Sequence, residues 1–198
     1  MVSESFRQFR ERQPDAELQL HPLSSLEQIE AVRSGRLDTG FVFEMPKTDP
    51  DLKQMQVDIH HLVLAAPKGH PLTKVKRLRL GDMTNTSFVS FPRRQNPAYY
   101  DRLMHACCRG GLRAPHIVQE AVDQATLLSL VSCEIGVGFV SDTTRWRCPK
   151  TVALLPVTNL DLPFPSTLVW RKDNVSRLLA RFVADVQQLG QVEEQETG

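Results

Sequence analysis

The stretch Arg33-Ser34-Gly35-Arg36-Leu37-Asp38-Thr39-Gly40-Phe41-Val42-Phe43 marks a change from helical to extended periodicity. Gly35 stands where a helix commonly ends in a left-handed residue, and the residues after it predict a strand over Leu37–Phe43. Asp38 is unusual at the start of a strand, and a glycine inside the strand, Gly40, indicates close approach of another backbone or a ligand. The stretch predicts a helix-to-strand junction from which neighbouring segments can be placed in register.

A strand and a helix are predicted before this junction. Ser24 and Glu27 have the Ser-x-x-Glu spacing of a capping box, so the helix that stops at Gly35 begins here. Upstream, Ala16–His21 alternates apolar and polar residues, which predicts a strand. Beyond the junction, predicted strands and helices alternate across short loops. This pattern favours an α/β fold with helices on the faces of mixed or parallel sheets.

The composition is that of an ordinary globular protein. The chain has 198 residues, 41% of them hydrophobic and 24% charged, enough for one large domain or two small lobes. Its 24 basic and 23 acidic residues give a net charge of +1, so there is no global field to attract nucleic acid and no obvious basic stripe, although a small patch remains compatible with a neutral total. Neither a secretory leader nor an apolar run of membrane-spanning length is present, so we expect a cytoplasmic protein.

No residue pattern indicates catalysis, a cofactor or a metal. The cysteines lack the C-x-x-C spacing of zinc or redox sites, and we expect reduced, mostly buried thiols. His60 and His61 would face opposite sides of a strand, so the two imidazoles cannot converge on one metal ion. Gly136–Gly138 follows a helix and precedes a strand, the reverse of a dinucleotide-binding loop, and no G-x-S-x-G turn occurs. The four cysteines are Cys107, Cys108, Cys133 and Cys148.

Three loops that lead from a predicted strand into a helix carry candidate ligand-binding residues. The hydroxyls and helix-start N–H groups of the first can hold an anion or simply cap the helix. The second can offer a guanidinium and an aromatic ring to a ligand; the alternative interpretation is a solvated loop with no binding role. Because ligands of open α/β sheets bind beyond the carboxyl ends of the strands, we expect a small anionic ligand here. The candidates, loop by loop, are Ser24 and Ser25, then Arg94, Pro97 and Tyr99, then Val122 and Asp123.

Four phrases, in the right order, resemble the effector-binding domain of LysR-type transcriptional regulators. They are Phe9–Leu18, Leu37–Gly40, Gly69–Leu72 and Leu128–Gly138. The resemblance extends from about residue 6 to about residue 186. It implies an α/β, two-lobed fold like that of type 2 periplasmic binding proteins, with the effector between the lobes. Lobe one would comprise residues 1–64 and 166–198, and lobe two residues 65–165.

The resemblance also implies a function and a site. The family's effector contacts fall on the serines of the first loop, on Pro97 and Tyr99, and near Val122 and Asp123, whereas Arg94 is our own assignment because a guanidinium can pair bidentately with a carboxylate. The likeness is strongest to members that sense aromatic-degradation intermediates such as muconate, so the expected effector is a carboxylate or aromatic acid. Effector-biased lobe closure would be passed through homo-oligomer contacts to a DNA-binding domain.

This chain departs from the family pattern in two ways. The N-terminal winged helix-turn-helix is absent, so this chain alone is not expected to bind an operator. The first strand of lobe one is also missing, which would leave backbone groups of the neighbouring strands unpaired. Two alternatives use the same fold. A free-standing solute-binding protein is disfavoured because no export signal is present, and an enzyme like porphobilinogen deaminase is disfavoured because no cysteine lies in a ligand loop.

Overall fold

The polypeptide passes twice between two α/β units. The computed structural model describes residues 2–43 and 49–196. Unit one comprises Met1–Ile59 with Pro165–Gly198, and unit two comprises His60–Phe164. Both crossings come earlier in the chain than the lobe boundaries that the resemblance implies, after residue 64 and after residue 165.

Unit one is built on a three-stranded sheet with the order β1-β8-β2. Strand β1 pairs with β8 in antiparallel fashion, with residue 41 opposite residue 168. Its helices pack on this sheet and on each other, and α1 lies against α5. The elements are α1 (Val2–Arg12), α2 (Ser25–Arg33), β1 (Thr39–Phe43), β2 (Leu52–His60), β8 (Phe164–Arg171) and α5 (Arg177–Glu196).

An aromatic cluster joins the helices of unit one to its sheet. The ring of Phe182 in α5 stacks on Phe6 at 5.5 Å between centroids and meets Phe9 edge-on at 5.3 Å. Phe6 in turn contacts Phe41 of β1 at 5.8 Å. Stacked and edge-on pairs of this kind add about 0.5–1.5 kcal/mol each to the burial of their area. The cluster therefore fixes α1 and α5 on the face of the sheet.

The structure confirms the predicted junction around Gly35. Helix α2 begins with a capping box, in which Ser24 accepts from the Glu27 N–H and Glu27 accepts from the Ser24 N–H. Gly35 has φ +74°, the left-handed conformation that ends the helix. A close approach also occurs at Gly40, although not to another backbone or a ligand as predicted. A Cβ at Gly40 would lie 2.9 Å from the side-chain oxygen of Gln28, so the neighbour is a side chain of α2.

The prediction of a strand at Ala16–His21 is wrong, since no strand forms in these residues. Ala16 and Leu18 do pack against the aromatic cluster, but Leu20 is 64% exposed. A strand needs a hydrogen-bonded neighbour, and within the described residues β1 lies at the edge of its sheet. A groove of about 890 Å³ lies beside the segment, lined by residues of α1 and by 13–20. Alternation of apolar and polar residues is therefore not sufficient to form a strand here.

A buried carboxylate fastens the segment before β2 to α2. The Asp49 side chain is 4% exposed, and it accepts from the Arg33 guanidinium at 2.5 Å and from the Leu52 N–H at 3.0 Å. Burial acts to raise the pKa of Asp49, but the hydrogen bonds from Arg33 and from the backbone outweigh it and hold that pKa below its ordinary value. Lys172 also donates to the Asp49 carbonyl at 2.8 Å.

We expect Asp49→Asn to lower the free energy of unfolding by about 1–3 kcal/mol at pH 7, because the charge-assisted bond to Arg33 is lost. A carboxylate whose pKa is lowered on folding stabilises the protein above its unfolded pKa of about 4, and that contribution disappears as the pH falls through the folded value. Urea unfolding at several pH values between 7 and 2 measures this. A difference between variant and wild type that did not shrink as the pH falls from 4 to 2 would contradict the assignment.

Unit two contains two small sheets that share a link. The order β6-β3-β7 describes an antiparallel sheet, and β4 pairs with β5 in parallel. A bridge between Phe88 and Val137 joins β4 to the start of β6. The elements are β3 (Leu62–Pro67), β4 (Ser87–Ser90), α3 (Pro97–Arg109), β5 (His116–Glu120), α4 (Gln124–Ser132), β6 (Gly138–Ser141) and β7 (Val152–Pro156).

The cysteines are all free, as predicted, but the expectation that most are buried is wrong. Cys107 alone is buried, Cys148 is half-buried, and the other two, Cys108 and Cys133, are exposed. Burial raises the pKa of Cys107 to about 12, so its thiolate is not formed near neutral pH. Among the described residues, no helix is both long and apolar enough to cross a membrane.

Helix α4 ends on a non-glycine residue in the left-handed conformation. Glu134 has φ +61°, whereas α2 and α3 end with Gly35 and Gly111 at +74° and +99°. Glu134 donates its N–H to Val131 at 2.9 Å, which completes the helix end. A side chain in this conformation costs roughly 1 kcal/mol relative to glycine.

We therefore expect Glu134→Gly to raise the free energy of unfolding by about 0.5–1 kcal/mol, because glycine adopts a positive φ without strain. Gly111→Ala is the matched control and should lower it by at least as much. Thermal and urea unfolding of both variants measure the effect. A higher free energy of unfolding for Gly111→Ala, or a lower one for Glu134→Gly, would contradict the conformational argument.

Candidate functional site

The first candidate loop lies in unit one, where β1 ends beside the start of α2. Ser25 Oγ accepts from the Phe43 N–H at 3.1 Å and so ties the helix start to the strand end. Ser24 Oγ accepts from the Glu27 N–H at 3.4 Å. Both hydroxyls act as acceptors in these bonds, so each keeps its own proton to donate. The loop can therefore offer two O–H donors at the start of a helix.

Glu27 limits what this helix start can hold. Its carboxylate accepts from the Ser24 N–H at 2.8 Å and already occupies one of the donors of the first turn. The hydrogen bonds from Ser24 lower the pKa of Glu27 and keep it ionised. An anionic ligand at this loop would consequently depend on the hydroxyls of Ser24 and Ser25 more than on the helix terminus itself.

The second candidate loop lies in unit two, in a single 3₁₀ turn at Arg93–Gln95 that leads into α3. Arg93 forms two hydrogen bonds to Asp101, at 2.8 and 2.6 Å, which raise its pKa. Asn96 caps the helix by accepting from the Tyr99 N–H at 3.0 Å. Arg93 is thus neutralised by an ion pair with two hydrogen bonds. The neighbouring Arg94 forms a single hydrogen bond to a carboxylate.

Arg94 brings the second and third loops together. Its Nη1 donates to Glu120 Oε2 at 3.1 Å, and the two side chains are 74% and 52% exposed. Gln95 adds a second link, because its Nε2 donates to the Val122 carbonyl at 2.8 Å. The end of β5 is therefore held against the turn before α3, and Arg94, Val122 and Asp123 share one region of unit two.

The structure places Tyr99 differently from the other candidates of its loop. Its side chain is 7% exposed, and the ring lies 4.7 Å from that of Phe164 in the core of unit two. The cavity beside it, lined by residues such as Phe91 and Met104, measures about 10 Å³ and has room for one water at most. Pro97 is exposed at the first turn of α3. Tyr99 therefore supports the loop from beneath and presents little surface to a ligand.

The third loop opens α4. Asp123 accepts from the Thr126 N–H at 2.7 Å, and this bond lowers the pKa of the aspartate. Val122, just before it, is 65% exposed. The Nε2 of Gln124 is buried and has no hydrogen-bond partner within the described residues. Such an unpaired buried donor is uncommon, and it adds a polar group at the start of the helix.

Among the residues that surround these loops, sequence reasoning missed Gln95 and Glu120. They connect positions more than twenty residues apart, so no local spacing could have revealed the contact. The described residues contain no cluster of metal-binding side chains.

Comparison with known proteins identifies the class of protein that this fold and these loops define. The model of the LysR substrate binding domain matches residues 2–191. The chain belongs to this family, the effector-binding domains of LysR-type transcriptional regulators. The predicted fold, like that of type 2 periplasmic binding proteins, and the predicted class of function are thereby confirmed. The family and the relatives below are transcriptional regulators and not enzymes, as expected.

Two curated relatives illustrate the family. The transcriptional regulator AlsR of Bacillus subtilis is 28% identical over 177 residues, which cover 89% of this chain and 58% of AlsR. CatR of Pseudomonas putida is 28% identical over 174 residues, which cover 87% of this chain and 59% of CatR. The chain therefore spans less than two thirds of the length of the curated relatives that it matches.

Solved structures of the family show the same fold at low sequence identity. The BenM effector-binding domain with its effector benzoate has a TM-score of 0.82 at 21% identity, covering 98% of this chain and 87% of that one. The effector-binding domain of QuiR in complex with shikimate has a TM-score of 0.82 at 16% identity, covering 96% and 90%. At these identities the likeness concerns the fold.

Proposed function

We propose that this domain binds a small carboxylate, most simply an aromatic or cyclic acid, and that Arg94 of the second helix-start loop holds its charge. The observation that carries the proposal is the state of Arg94, an exposed guanidinium with one hydrogen bond to a carboxylate at 3.1 Å. The benzoate of BenM and the shikimate of QuiR are both carboxylates with a six-membered ring, which supports the same ligand class.

The two arginines of the second loop are unequal as anion ligands. Arg93 is held by two short bonds to Asp101, and an effector would have to break both. The exposed pair of Arg94 with Glu120 is a weak interaction, worth about 0–1 kcal/mol. A ligand carboxylate can replace Glu120 and form a two-pronged pair with Arg94, which is the stronger geometry. Arg94 is accordingly the residue that we assign to the effector's charge.

The other candidates supply shape and hydrogen bonds. Ser24 and Ser25 contribute O–H donors in unit one, while exposed Val122 and Pro97 contribute apolar surface in unit two. Asp123 serves as the cap of α4 and keeps that helix start in place. An apolar ring flanked by a few polar groups is the usual composition of a small-molecule site.

Regulation would follow from a population shift. An effector that binds one arrangement of the domain more tightly than another changes their equilibrium by that difference in affinity. In the proposed whole protein, this shift passes through homo-oligomer contacts to a helix-turn-helix domain outside the present sequence, as the names of relatives such as AlsR suggest. The proposed place of action is the cytoplasm, where such regulators meet DNA.

We expect benzoate, muconate or shikimate to bind the wild-type domain, and Arg94→Ala to weaken the bound acid about 10- to 100-fold, the effect of losing about 1.5–3 kcal/mol of charge-assisted hydrogen bonding. Glu120→Gln should tighten binding, because it removes a competing carboxylate. Arg93→Ala is the matched control and should change the dissociation constant less than about threefold. Isothermal titration calorimetry of the four proteins measures these values.

Two outcomes would overturn parts of the proposal. If none of the three acids binds the wild-type domain or gives it a higher melting temperature, the ligand class is wrong. If an acid binds but Arg94→Ala and Arg93→Ala weaken it equally, the charge of the ligand is not held by Arg94.

A further inference from the structure

A run of cations crosses the surface of unit two between two short 3₁₀ turns, Pro71–Lys74 and Leu80–Met83. Two apolar residues of the run point inward, since Leu78 and Leu80 are 3% and 0% exposed. The basic residues alternate with them and are all exposed. They are Lys74, Lys76, Arg77 and Arg79.

Two more exposed cations lie beside this run, at the end of α3. Arg109 and Arg113 flank a pair of glycines that pack against it. A Cβ on Gly110 would lie 2.3 Å from the Leu80 side chain, and one on Gly111 would lie 3.6 Å from the Cα of Gly81.

Asn159 fastens the same two segments together. It accepts from the Leu80 N–H at 2.9 Å and donates to the Gly110 carbonyl at 2.9 Å. The six cations are therefore presented by two segments in contact, and we call them the basic face: Lys74, Lys76, Arg77, Arg79, Arg109 and Arg113.

The charge of the basic face is not compensated locally. Within 74–82 the sequence has one carboxylate, Asp82, and it accepts from the Arg79 backbone N–H at 2.8 Å. No ion pair involves any of the six cations within the described ranges 2–43 and 49–196. Without them the chain would carry 18 basic against 23 acidic residues, so the positive charge is concentrated here although the whole chain is nearly neutral.

We propose that the basic face binds the phosphate backbone of duplex DNA, independently of its sequence. DNA carries one charge per about 1.7 Å of its axis, and several closely spaced cations bind it by releasing condensed counterions. Protein–protein interfaces are enriched in aromatic anchors, and the basic face contains none; the apolar residue exposed within the run is Val75, at 41%. These features favour a phosphate backbone over an acidic protein surface.

The consequence for a regulator is a second contact with DNA, made by the effector-binding domain itself. Such a contact positions a protein on the duplex and carries no information about the base sequence. The proposal does not depend on the effector assignment above, because none of the six cations belongs to the three candidate loops.

Fluorescence anisotropy with a labelled 20-base-pair duplex of arbitrary sequence tests the proposal on the present chain. Between 25 and 200 mM NaCl, the logarithm of the association constant should fall with the logarithm of the salt concentration with a slope of about −4 to −5, for four to six phosphates neutralised. Lys76→Glu/Arg77→Glu should weaken binding at least tenfold at 50 mM NaCl and make the slope shallower by about 2.

The matched control is Arg145→Glu/Arg147→Glu, which reverses two exposed arginines elsewhere in unit two and changes the net charge equally. It should retain most of the affinity. Melting curves of both variants verify folding, and Lys76→Gln/Arg77→Gln replaces the first if it is unstable. Benzoate titrations should be the same for both variants, so failure here is distinguishable from failure of the effector proposal.

Three results would overturn the proposal. If the wild-type chain does not bind the duplex at 25–50 mM NaCl, the basic face is not a DNA-binding surface. Equal loss in the matched control would mean that net charge, and not the basic face, governs binding. If poly-L-glutamate of the same total charge displaces the duplex as effectively as unlabelled DNA does, the basic face fits an acidic protein instead.

Discussion

One hydrogen bond, from the Phe43 N–H to the Ser25 hydroxyl, sets the geometry of unit one. It holds the end of β1 against the start of α2, while the capping box of Ser24 and Glu27 fixes where the helix begins. At the opposite end of the helix, Gly35 lets the chain turn into β1. The loop of the two serines is thereby placed at the carboxyl end of a strand, where ligands of α/β sheets bind.

The parts of the fold that could be predicted from the sequence are those with local causes. The capping box, the left-handed glycine and the cap at Asp123 each depend on residues within four positions, and each is present. Ala16–His21 was misjudged because alternation describes only one strand, whereas a strand exists through its neighbour.

The candidate site likewise has features that the sequence could predict and features that it could not. The second and third loops do connect a strand to a helix, as predicted, because such connections are local; the first is not preceded by the strand predicted at Ala16–His21. The sequence did not show which side chains are free to bind a ligand. Tyr99 lies on the buried side of α3, and Arg94 meets Glu120 across 26 positions. The sequence analysis found no obvious basic stripe and overlooked the run Lys74–Arg79, because the net charge of +1 averages it against acidic residues elsewhere. Only the contact of Leu80 with Gly110 shows that the arginines at the end of α3 belong to the same surface.

The contrast between the two kinds of basic site has a physical meaning. In the second candidate loop both arginines have a carboxylate partner, Arg93 with Asp101 and Arg94 with Glu120. In the proposed function, a ligand would have to exchange one anion for another, which would limit its affinity and let it leave when its concentration falls. A sensor needs this, because a ligand shifts an equilibrium only within the range of concentrations over which it binds and dissociates. The basic face has no such internal anion within the described residues, so the attraction proposed for it would act on any dense array of phosphates and would depend on the salt concentration.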